Sequence, residues 1–138
     1  MKLQDFDFRI WDGRKYVNNI KGGVYMHKEG TDVKCLNRNQ ACYDYEFQLD
    51  DLDNSNLEIE LFTGLYDKKD KKVYENDIVK VKSLYDYFLA KISIHKEGTF
   101  YFEGKNGDYI GSLIYLVEDE GYTIEAIGNI NENAELLK

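Results

Sequence analysis

Cys35, Cys42, His27 and His95 are the side chains of this chain best suited to hold a metal or to form a nucleophile and base. A zinc finger or ribbon needs closely spaced ligand pairs, because two donors from one tight turn preorganise the tetrahedral site. No Cys-x-x-Cys pair occurs, and the four positions match no such spacing. A thiol nucleophile needs a histidine in contact, and nothing in the sequence brings one to either cysteine. Asp51, Asp53 and Ser55 fall at positions one, three and five of a calcium loop. Asn56 stands where the loop needs glycine and Phe62 where it needs the bidentate glutamate, so Asp50 to Ser55 reads as a solvated turn. The patterns GxxxxGK[ST], GxGxxG and HExxH are missing. With 26 acidic residues, adjacent carboxylates carry little information. No catalytic, cofactor-binding or metal-binding residue is assigned, and the chain reads as a non-enzyme without a cofactor.

One cationic group stands out: Lys68, Lys69, Lys71 and Lys72, followed by Lys80 and Lys82. With Tyr66, Tyr74 or Tyr85 alongside, such lysines could grip phosphates while the rings stack on bases. Asp67, Asp70, Glu75 and Asp77 are interleaved and cancel much of the field. Residues 62–96 carry 8 basic and 5 acidic side chains, a net +3, inside a chain of net −8. Residues 1–61 carry 8 and 12, and residues 97–138 carry 2 and 9. An acidic protein repels phosphate at long range, so general nucleic-acid binding is disfavoured. The lysines remain a candidate contact for nucleic acid or a partner, and the acidic tail could act as a DNA-mimic decoy for a host protein.

These residues need elements to position them. The chain has 138 residues, the size of a single domain, and no proline to kink a strand. Twelve Tyr and seven Phe favour strands. Their faces are expected to form the core, each buried ring contributing roughly 4 kcal/mol of transfer energy. Phe6 to Trp11 alternates and meets the turn signal Asp12-Gly13, with Tyr16 and Val17 returning; Arg9 and Trp11 share a face. Val24 to His27, Asp32 to Leu36 and Ala41 to Leu49 read as further strands, the first preceded by a turn at Lys21-Gly22-Gly23. Leu57 to Leu61 alternates without a break and runs into Gly64, a residue expected where a strand bulges. Asp67 to Lys72 is all charge and is expected in water. Val73-Tyr74 re-enters the core, Glu75-Asn76-Asp77 turns, and Ile78 to Lys82 is a period-two strand with Val79 and Val81 inward. Strands follow over Phe88 to His95, Thr99 to Glu103 and Tyr122 to Ile127, with an Asn106-Gly107 hairpin signal. Tyr109 to Val117 fits helix or strand, and Asn131 or Asn133 could cap a short last helix. The expected fold is mostly β: a small, partly open barrel or curled antiparallel sheets with one or two short helices. Leu57 to Lys82 supplies the central strands.

Three ordered blocks span nearly the whole chain. They are Phe8-Arg9-Ile10-Trp11-Asp12, then Thr63-Gly64-Leu65-x-Asp67 with Val73-Tyr74-Glu75-x-Asp77-Ile78-Val79, then Ile127-Gly128-Asn129-Ile130-x-Glu132-Asn133-x-Glu135-Leu136-Leu137. In these the chain resembles the YopX family of phage and prophage proteins. The family loop usually reads Asn-Gly where this chain has Lys69-Asp70, and has glycine where this chain has Asn76. The resemblance implies a mostly β domain over 1–138, a phage origin and self-association, and it brings no catalytic residue to transfer. The expected function is a phage accessory protein acting by protein–protein contact, as a homo-oligomer or with a host or phage protein, in the host cytoplasm and away from membranes. A nucleic-acid-binding module using Lys68 to Lys82 is the alternative.

Overall fold

A computed structural model describes residues 1–17, 24–39, 48–51 and 57–138. The chain is mostly β, with antiparallel sheets that do not close into a barrel. It divides into two compact units, one of Met1–Phe8 with Glu60–Lys138 and one of Arg9–Ile59.

The smaller unit holds β2 (Val24–Glu29), β3 (Asp32–Asn39) and β4 (Gln48–Asp51) as one antiparallel sheet. The pairing of Glu29 with Asp32 closes the β2–β3 hairpin. Of the strand read over Ala41 to Leu49, the described residues Gln48 and Leu49 belong to β4. Ala41 to Phe47, the Lys21-Gly22-Gly23 turn and most of the calcium-like run lie outside the described residues. Strand β1 (Phe8–Trp11) enters a turn in which the Asp12 carboxylate accepts the N–H groups of Arg14 and Lys15, both at 2.8 Å. Tyr16 then returns beside Trp11. Arg9 lies over the Tyr16 ring at 4.7 Å, and Trp11 meets the same ring edge-on at 4.9 Å.

The larger unit is built around β7 (Asp77–Lys82), an inner strand of a five-stranded sheet ordered β10-β9-β8-β7-β11, next to the β11 edge. Its neighbours are β8 (Tyr87–Ile94), β9 (Phe100–Glu103), β10 (Tyr109–Ser112) and β11 (Thr123–Asn129). Period two sends Val79 and Val81 inward with Ala90, Ile92, Phe102 and Ile124, and all are buried. Strand β5 (Glu58–Tyr66) pairs with the short β6 (Lys72–Tyr74) through a register shift between Phe62 and Tyr66. Gly64 sits in that shift at φ +86°, a conformation that an L side chain strains to reach. The ambiguous segment at Tyr109 resolves by splitting: β10 ends at Ser112 and a π-helical turn covers Tyr115–Asp119.

Three expectations are corrected. Among the described residues the core is mainly aliphatic: Phe102 is fully buried and Phe88, Phe100 and Tyr122 pack against the cluster, whereas Tyr66, Tyr85, Tyr87, Tyr109 and Tyr115 are exposed. A buried phenol needs a partner for its hydroxyl, and the inward positions go to side chains that need none. Asp67 is not in water but 5% exposed, because its carboxylate is used inside the fold. Glu60, on the acidic side of an alternating strand, is fully buried while Ile59 is exposed.

Asp70 and Asn76, which stand where the family resemblance leads to an expectation of glycine, both have positive φ, +61° and +69°. The turn geometry is therefore kept, at a cost of about 1 kcal/mol for each side chain. Asp70 is exposed, so Asp70→Gly is expected to raise stability by about 0.5–1 kcal/mol in urea titration. Asn76→Gly is expected to do the opposite. Asn76 Nδ2 donates to the buried Glu60 carboxylate at 2.7 Å, and a hydrogen bond to a buried charge outweighs the relief, at about 1.5–3 kcal/mol. Equal and favourable shifts for both variants would contradict this.

Candidate functional site

The six lysines singled out from the sequence are sorted by the fold into four environments. Lys72 lies on β6, 2.9 Å from Asp7 Oδ2 and over the Phe62 ring at 5.0 Å. Burial pushes the Asp7 carboxyl up, but hydrogen bonds from Tyr74, Lys72 and the Phe8 N–H outweigh it and hold the group below its usual range. The bond to Asp7 in turn raises Lys72. Lys68 and Lys69 clamp Glu125 of β11, each at 3.0 Å. Hydrogen bonds from Lys69 and Lys68 lower the Glu125 carboxyl, and Lys69 is raised by the same bond. Lys71 is exposed on the loop. Lys80 and Lys82 stand on the outer face of β7.

That outer face follows from the register. Lys82 pairs with Thr123 on one side and Tyr87 on the other, and Lys80 pairs with Glu125 and Leu89. Lys80 Nζ lies 4.4 Å from the centre of the Tyr87 ring. Lys68, Lys80, Lys82, Tyr87, Thr123, Ile124 and Glu125 surround a cavity of about 130 Å³. Lys82 and Thr123 also border an open groove of about 590 Å³ that runs past Leu84, Tyr85 and Tyr122. At the other end of the sheet the outer face is covered. There the C-terminal 3₁₀ turn Ala134–Leu137 lies against β8, and Ile78 is fully buried.

The remaining motif residues are bound into the backbone. Asp67 Oδ1 accepts the N–H groups of Lys69 and Lys71, at 2.8 and 2.9 Å, and Oδ2 accepts that of Ala126 at 3.0 Å. Burial raises the Asp67 carboxyl, but these three bonds more than reverse the effect and leave it lowered. Together with the bond from Lys68 N–H to Ile124 C=O at 2.9 Å, they lay the charged loop along the outer edge of β11. Thr63 Oγ1 donates to Val73 C=O at 2.7 Å, and Asp77 Oδ2 accepts the Tyr74 N–H at 2.8 Å. At the C-terminus Asn129 Oδ1 accepts from the N–H groups of Asn131 and Glu132. Asn133 does not cap the last turn: its Oδ1 accepts the Asn129 N–H at 3.2 Å, and it lies where a Cβ on Gly128 would sit, 2.7 Å away. Glycine at 128 is what lets Asn133 approach.

Cys35 is buried, its thiol raised by that burial, with Sγ 3.2 Å from Met26 Sδ across the β2–β3 pair. Cys42 lies outside the described residues. His95 stacks on Tyr101 at 4.1 Å. Among the described residues no cluster of three or more His, Cys, Asp or Glu gathers for a metal, and no helix is long and apolar enough to cross a membrane. Thr123, Glu125 and Tyr87 belong to the site but escaped the sequence reading. Their alternation was visible; the pairing of β11 with β7 across forty residues was not.

An open-sheet β scaffold with an anchored charged loop and a glutamate–asparagine-bound C-terminal turn is the class of protein these features define. The family model for the YopX protein matches residues 7–138, and the chain belongs to that family. Two crystal structures share the fold. Protein yopX from Bacillus subtilis has 22% identity and a TM-score of 0.60, covering 95% of this chain and 97% of its own. Protein EF1440 from Enterococcus faecalis has 23% identity and a TM-score of 0.59, covering 96% and 98%. No curated protein matches the chain.

Proposed function

We propose that this chain is a non-catalytic phage accessory protein that works by protein–protein contact, first of all with a second copy of itself. The observation that carries the reading is the contrast between the two ends of the five-stranded sheet. The β11 edge is occupied by the loop that Asp67 anchors. Strand β10 ends the sheet on the other side, and Tyr109, Ile110, Ile114 and Tyr115 beside it are exposed. An apolar, aromatic edge is a surface that a second β chain can extend by backbone pairing, and Tyr is enriched at protein interfaces. The phage setting comes from the family resemblance.

Sedimentation velocity tests this. The expected result is concentration-dependent self-association that Ile110→Lys abolishes without loss of folded signal. A strict monomer at high micromolar concentration would overturn it.

A further inference from the structure

We propose that the open outer face of β11, β7 and β8 is a binding site for a nucleoside phosphate, with the phosphate among Lys68, Lys80 and Lys82 and the base in the adjoining groove. The cavity among the lysines has about 130 Å³, room for a phosphate group but not for a nucleoside. It opens, across the shared residues Lys82 and Thr123, into the groove of about 590 Å³ bordered by Tyr85 and Tyr122. Cations beside aromatic faces are what phosphate-linked bases need: point charges for the anion and a platform for the ring. Tyr87 is exposed and held beside Lys80, and Tyr85, at 96% exposure, stands on the β7–β8 turn. That turn is set by Ser83 N–H donating to Asp86 C=O at 2.9 Å and Tyr87 N–H donating to the Asp86 carboxylate at 2.7 Å.

Two opposing charges face the site. Glu125 is in the lining, but Lys68 and Lys69 both bind it, so two cations face one carboxylate and the loop side keeps a net positive charge. Glu120 borders the groove and accepts the Tyr115 hydroxyl at 2.7 Å. The net −8 of the chain acts at a distance, and at physiological salt the Debye length is about 8 Å, so the three lysines dominate locally. The contact is local, unlike the diffuse attraction of a basic protein. It is also distinct from the β10 edge, and neither proposal depends on the other.

Amide chemical shifts recorded against inorganic phosphate, dTMP and a short oligo(dT) at low salt test it. The expected result is movement of the Lys82, Tyr87 and Thr123 amides with all three probes. The double substitution Lys80→Gln/Lys82→Gln should weaken every probe about tenfold. Tyr85→Leu, which removes a ring from the groove and leaves the lysine cavity intact, should weaken dTMP and oligo(dT) several-fold and leave phosphate unchanged. Oligo(dT) binding at least about tenfold tighter than dTMP identifies a strand as the source, and equal binding identifies a free nucleotide. The control Lys96→Gln/Lys105→Gln removes the same charge elsewhere and should change affinity less than about twofold. Silence of the three amides with every probe, no advantage of dTMP over phosphate, or an equal loss in the control would overturn the proposal.

Discussion

Asp67→Ala lowers folding stability by about 4 kcal/mol. The carboxylate is buried and accepts three backbone N–H groups, from Lys69, Lys71 and Ala126. Removing it leaves three donors to find water or go without, at about 1–1.5 kcal/mol each. The loop then loses its hold on β11. By contrast the ion pairs that Lys68 and Lys69 make with Glu125 are exposed at the lysine end and screened by solvent, so they do not hold the loop in its place. Asp67→Asn is expected to cost about half as much, because one oxygen survives but an NH2 faces a donor. The effect depends on pH. The folded carboxyl lies below its unfolded value, so its stabilisation is complete above the ordinary carboxylate range and fades as pH falls through the folded value. Urea titrations at neutral pH and at successively lower pH check this. The gap between wild type and Asp67→Ala should narrow with acid. A variant within about 1 kcal/mol of wild type at neutral pH would contradict the anchoring role.

Glu60→Ala is the second large loss, about 3 kcal/mol. Glu60 is fully buried, and its Oε2 accepts Asn76 Nδ2 at 2.7 Å and Asn131 Nδ2 at 2.9 Å. These bonds tie β5 to the turn before β7 and to the C-terminal turn, three segments far apart in the chain. Each orphaned amide costs about 1–2 kcal/mol, and the cavity left by the side chain adds to that. Glu60→Gln keeps an oxygen and the volume, so about 1 kcal/mol is expected. The side-chain amide signals of Asn76 and Asn131 report the same event directly. They should move together in both variants and more in Glu60→Ala. Independent behaviour of the two amides would show that no shared carboxylate links them.

Local chemistry made much of the fold readable. Val79 and Val81 alternate with Lys80 and Lys82, and the strand they announce is an inner strand of the main sheet, paired on both sides. Gly64 announced a register shift, and Asn106-Gly107 a hairpin. The same local rules misplaced Asp67 and Glu60. A carboxylate reads as solvent-facing because an unpaired buried charge is costly. Whether it is paired depends on donors at Ala126, Asn76 and Asn131, and residue spacing does not reveal those neighbours. The aromatic count likewise indicated strands but not which side the rings would face.

The amino-acid order by itself determined that this chain is mostly β, where its strands turn, and to which family it belongs. Period-two alternation, turn residues and the three motif blocks are all short-range properties of the chain. Only the tertiary structure decided that Lys68, Lys80 and Lys82 share a face with Tyr87 and Thr123 while Lys72 turns away to Asp7. That outcome depends on which strand pairs with β7 and in what register, and a one-residue slip of β7 would send Lys80 and Lys82 to the other face.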